Sequence, residues 1–117
     1  MFNLSSSNKY YLYLSPTDMR KSFDGLSGLV HNYVDRSPIH GEVFAFINKR
    51  RDKLKLLHWQ GGGFEVYYKR LEEGTFELPE YDVSEGWLTM NYTEMVMVID
   101  GLSIKNTLKR KRYQQNI

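Results

Sequence analysis

The apolar residues of this chain switch between the period of a strand and that of a helix, and the switches mark its elements. Residues 10–14, Tyr-Tyr-Leu-Tyr-Leu, are aromatic and β-favouring and read as a first strand. Ser15-Pro16-Thr17-Asp18 then has the form of a helix start. Ser15 is the expected N-cap, Pro16 stands at the first helical position, and Asp18 sits at the capping-box offset. Met19, Phe23, Leu26, Val30 and Tyr33 recur at helical spacing and predict one long amphipathic helix that Pro38 ends. Gly25 and Gly28 lie about one turn apart on it and suggest a close packing surface.

From Gly41 onward the period falls to two. Residues 41–47 are apolar on both faces and predict a central strand. Asn48-Lys49-Arg50-Arg51-Asp52 is too polar to bury and forms a turn into residues 53–59, which alternate as far as Leu57. Gln60-Gly61-Gly62-Gly63 turns again into residues 64–70, and these short spacings predict an antiparallel meander. A further short strand is expected at residues 75–78, and another strand or docking segment at 87–90. Asn91 followed by Glu94 repeats the capping logic for a short second helix, with Gly101 as its stop. The expected fold is α+β: a mainly antiparallel β-sheet of about five strands, with one long N-terminal helix and one short C-terminal helix. It occupies residues 1–104, and 105–117 reads as a flexible basic tail.

Composition narrows the chemistry. The 117 residues suffice for one core. The chain has no Cys, so thiolate metal sites, disulfides and cysteine nucleophiles are excluded. His31, His40 and His58 do not fall at metal-ligand spacings, and no nucleophile elbow is present. No catalytic residue, metal, cofactor or small-molecule substrate is therefore expected. The N-terminus lacks the pattern of an export signal and no apolar run approaches a membrane span, so the expected location is cytoplasmic.

Charge is partitioned rather than sprinkled. Residues 1–55 carry nine Lys/Arg against five Asp/Glu; residues 56–104 carry two against nine; residues 105–117 carry five against none. Basic zones flanking an acidic one point to a polyanion or an acidic partner.

Thr17-Asp18-Met19-Arg20-Lys21 with Phe23-Asp24-Gly25-Leu26 resembles the N-terminal hallmark of one family, the small TnpB accessory proteins of insertion-sequence-66 type bacterial transposons. Gly41, Phe44, Phe46, the Arg50-Arg51-Asp52 turn, Lys55-Leu56-Leu57, Trp59, Gly61, Gly63, Tyr68-Lys69-Arg70-Leu71-Glu72, Gly74, Phe76 and Pro79 follow its central pattern, so the resemblance covers roughly residues 10–101. It implies a non-enzymatic accessory protein, encoded beside a separate transposase, that takes part in transposition by binding DNA, the transposase, or both. The chain departs from the family where a Trp pair followed by Asp is common: here stand His58-Trp59-Gln60. A carboxylate role at that position is therefore lost.

In that context the cations acquire candidate roles. Lys49, Arg50, Arg51, Lys53 and Lys55 are expected to contact DNA phosphates from a hairpin turn and the strand beside it. Arg20 and Lys21 are further candidates, although Arg20 is also placed to pair with Asp24 one helical turn on. Lys109, Arg110, Lys111 and Arg112 would add sequence-independent affinity from the tail. Solvated turns and edge-protecting lysines give the competing account of the same charges. Trp59, Tyr67 and Trp87 are candidates for base stacking, with sheet packing as the equal alternative. The rival function is a protein-interaction module that engages the transposase through acidic residues 72–85 or an aromatic sheet face.

Overall fold

The computed structural model describes residues 4–34, 37–81 and 86–101. Five strands form one sheet: β1 Tyr10–Tyr13, β2 Val43–Ile47, β3 Lys53–Gln60, β4 Gly63–Arg70 and β5 Trp87–Met90, in the order β4-β3-β2-β1-β5. The segment apolar on both faces, β2, is the middle strand and is buried throughout. Residues 75–78 do not form the expected strand; Phe76 fills the core from a loop.

The sheet is mixed, which corrects the antiparallel expectation. β1 runs parallel to β2, with Tyr10 opposite Val43 and Tyr13 opposite Phe46, while the other neighbouring pairs are antiparallel. Parallel pairing requires a crossover long enough to return the chain to the same end. The segment between β1 and β2 supplies it, because it carries the first helix, α1 Phe23–Leu29.

The expected long N-terminal helix is also absent. α1 starts at Phe23, and a π-helical turn, Val30–Val34, extends it. Residues 16–22 are instead a loop held by the sheet. The Thr17 N–H donates to the Ile47 carbonyl at 2.9 Å. The Lys55 ammonium donates to the carbonyls of Met19 and Lys21, at 2.8 and 2.7 Å. In a helix those two carbonyls would accept from N–H groups four residues on. A tertiary donor engages them instead, which favours the loop over an earlier helix start.

The two sheet faces are separately covered. On one, α1 and the π turn lay Leu26 and Val30 over Tyr11, Phe44, Phe46 and Leu57. On the other, Met95, Val98 and Ile99 of α2 Tyr92–Asp100 join Leu71 and Phe76 over Leu12, Ala45, Leu54 and Leu56. α2 begins as its sequence predicts: the Asn91 side chain accepts from the Glu94 N–H, and the Glu94 side chain accepts from the Asn91 N–H. Gly101 ends it in the left-handed region, at φ 82°. Among the described residues no helix is long and apolar enough to cross a membrane.

The glycines of the first helix differ from their expectation in one case. A Cβ on Gly25 would lie 3.1 Å from the Lys21 stem, so that site is close-packed, whereas Gly28 faces open space.

Candidate functional site

The β2–β3 turn is built around Asn48. Its side-chain oxygen accepts from the N–H groups of Asp52 and Lys53, and its amide donates to the Asp52 carboxylate at 2.7 Å. That hydrogen bond holds the Asp52 carboxyl below its ordinary range, with Lys53 and Arg50 adding to the effect. Arg51 adopts φ 59°, the left-handed conformation that closes such a turn. The far side of the turn is tied as well: the Phe76 N–H donates to the Arg51 carbonyl, and the Leu71 N–H to that of Asp52. The backbone that carries the cations is thus bonded on both flanks.

Residues 16–22 form the facing wall. Asp18 accepts from the Arg20 backbone N–H and, through both carboxylate oxygens, from the Arg20 guanidinium at 2.6–3.1 Å. This pairing holds the Asp18 carboxyl down at about 2. It also corrects two expectations: Arg20 pairs with Asp18 rather than Asp24, and Asp18 caps no helix.

Turn and wall enclose a groove of about 390 Å³ lined by Pro16, Thr17, Asp18, Met19, Asn48, Lys49, Arg50 and Lys53. Lys49 and Arg50 are exposed and Lys53 is half-buried. Among the described residues none of these three cations is in an ion pair. The single carboxylate in the lining, Asp18, is already engaged by Arg20. The lining therefore carries three cations against one carboxylate, with Asp52 close enough behind the turn to interact with Arg50 and Lys53; the surplus of positive charge suits phosphate oxygens.

The other expected contacts fall into three groups. Arg20 and Lys21 lie on the facing loop and are exposed, Arg20 with 92% of its side chain accessible. Arg51 is exposed outside the lining, its guanidinium 3.4 Å from the Tyr81 hydroxyl. Lys55 is 7% exposed, and its ammonium is consumed by two carbonyls and the Tyr68 ring. That placement removes Lys55 from any contact surface and makes it the pin between sheet and loop. Lys109, Arg110, Lys111 and Arg112 lie outside the described residues.

Burial also sorts the aromatic candidates. Trp59 packs edge-on against Phe64, and Trp87 against Tyr11. Tyr67 is half-buried against the α2 side. His58 is buried with Nδ1 3.7 Å from Glu65, too deep to touch a base. Among the described strand residues, the large aromatic ring that reaches solvent is Tyr68, at 51%. It had no place among the sequence candidates, although its alternation with Val66 and Phe64 puts it on the face that carries Lys53. Among the described residues no three His, Cys, Asp or Glu gather as metal ligands would.

Comparison with known proteins adds three findings. The profile of the family described as IS66 Orf2 like protein matches residues 8–109. Two uncharacterized proteins of Sinorhizobium fredii are similar: y4jC, 36% identical over 74% of this chain and 73% of its own length, and y4hO, 27% identical over 74% and 73%. No solved structure matches.

Proposed function

The chain belongs to the IS66 Orf2-like family, and on that premise we propose that it is a non-enzymatic accessory protein of insertion-sequence transposition that binds DNA. The contact surface is the groove between residues 16–19 and the β2–β3 turn. One observation carries the reading: Lys49, Arg50 and Lys53 line a single concavity, and among the described residues none of them is in an ion pair. Arg20 and Lys21 stand on the facing wall, and the tail cations add sequence-independent attraction.

Because the contacts are to phosphates, binding must release counterions. Each neutralised phosphate adds about 0.9 to the slope of log affinity against log salt on a duplex, so three give roughly −2.7, and tail contacts steepen it. Fluorescence anisotropy with a duplex of the element's terminal repeat, over a range of salt, measures this slope. Salt-insensitive affinity would refute the electrostatic contact.

A second reading is a protein-interaction module that engages the transposase, to which individually exposed Phe23, Tyr33 and Ile39 could contribute. A purified protein that binds no DNA at any salt, yet is retained by the transposase in nuclease-treated lysate, would select it.

A further inference from the structure

We propose that the edge of the sheet beside the groove is a platform for an unpaired base, so that the nucleic acid recognised is single-stranded DNA. This rests on the DNA-binding reading above and specifies its substrate. The platform is Tyr68, next to the end of edge strand β4.

Three features set Tyr68 apart from an ordinary surface tyrosine. First, its ring is held from beneath. The Lys55 ammonium lies 4.6 Å from the ring centroid, and that ammonium is itself fixed by the Met19 and Lys21 carbonyls. An ammonium has three protons, and here two meet carbonyls while the charge faces the π cloud. A ring held in one orientation gives up little freedom when a base stacks on it.

Second, the ring is flanked by cations. Lys53 and Arg70 are register partners, Lys55 and Tyr68 the next pair on that face, and Lys53, Tyr68 and Arg70 line a concavity of about 170 Å³. Arg70 is paired with Glu72 at 2.8 Å, but both groups are more than half exposed, and such a pair yields readily to a phosphate.

Third, Lys53 lines both this concavity and the larger groove. A strand whose phosphates follow Lys49, Arg50 and Lys53 is thereby delivered to the ring. In a duplex the bases face each other inside the stack, so no ring face is offered to Tyr68. Stacking platforms beside cationic tracks are the recurrent solution for single strands.

The test compares a fluorescein-labelled oligothymidylate with a duplex of equal length by anisotropy. The proteins are the wild type, Tyr68→Ala, Tyr68→Phe and Tyr68→Leu. The wild type is expected to prefer the single strand. Tyr68→Ala and Tyr68→Leu should each lose roughly 5- to 100-fold on the single strand, with little change on the duplex. Tyr68→Phe, which keeps the π face, should bind as the wild type does. Tyr68→Leu keeps apolar bulk over Lys55, so it decides the matter if Tyr68→Ala unfolds. Full single-strand affinity in Tyr68→Leu, or a Tyr68→Phe loss equal to that of Leu, would overturn the platform while leaving DNA binding intact. A wild type that binds neither probe would overturn both.

Discussion

Reversing the three groove cations together, as Lys49→Glu/Arg50→Glu/Lys53→Glu, is expected to lower DNA affinity by on the order of 100-fold at low salt. The variant removes up to three phosphate contacts and places three like charges against the backbone of the nucleic acid. The slope of log affinity against log salt should flatten by roughly 2.7 units at the same time, since those phosphates no longer shed counterions. Transposition of the element should fall in parallel. Stability should fall only modestly: Lys49 and Arg50 are exposed and the turn keeps Asn48 and its backbone bonds, although Asp52 exchanges two nearby cations for two carboxylates. Anisotropy with a parallel thermal melt separates the two effects. A triple variant that binds DNA like the wild type would remove the groove from the account.

Lys55→Met is expected to produce the largest loss of stability, about 2–3 kcal/mol. Methionine keeps most of the apolar stem but leaves the Met19 and Lys21 carbonyls without their donor and the Tyr68 ring without its cation. A hydrogen bond from a charged donor contributes about 1.5–3 kcal/mol, and two are lost. Relief from burying an ammonium offsets part of that. For a chain of this size the thermal midpoint should drop by roughly 8–12 °C, read by circular dichroism. DNA affinity should weaken too, although Lys55 touches no phosphate, because the pin that fixes one wall of the groove is gone. An unchanged midpoint would show that residues 16–22 are held by something other than Lys55.

These two outcomes separate cations that look alike in the sequence. Lys53 and Lys55 are two apart on β3 and face the same way, so alternation alone groups them. What divides them is depth: Lys53 stands at the strand's open end, while Lys55 lies two pairs inward, beneath residues 16–22. That loop is the second thing periodicity could not disclose. Ser15-Pro16-Thr17-Asp18 satisfies the local rules for a helix start, yet the decisive event is a donor more than thirty residues away taking the carbonyls a helix would use. Local propensity is a weak prior against such a contact.

Where partners are close in the chain, the residues were legible. Gln60 and Gly63 are opposed across Gly61 and Gly62, both at positive φ, as a two-residue hairpin requires. Asn91, Glu94 and Gly101 bound α2 at the positions their chemistry dictates. The parallel pairing of β1 with β2 was not legible, because it joins segments about thirty residues apart and leaves no local mark. A helix between β1 and β2 was legible, but not its late start at Phe23. Tyr68 was obscured differently: tryptophan and its neighbours draw attention as stacking residues, but burial against Phe64 and Tyr11 commits both tryptophans to packing.

The central claim is that the β2–β3 turn and the loop facing it receive the nucleic acid together. Amide chemical-shift mapping of the labelled protein during titration with an oligonucleotide from the element's end tests it most directly. Shifts are expected to concentrate at residues 16–22 and 48–53 and at Tyr68 to Arg70, with α2 silent. Shifts centred on α2 or on the segment from Glu72 to Glu80, with the turn unmoved, would contradict it.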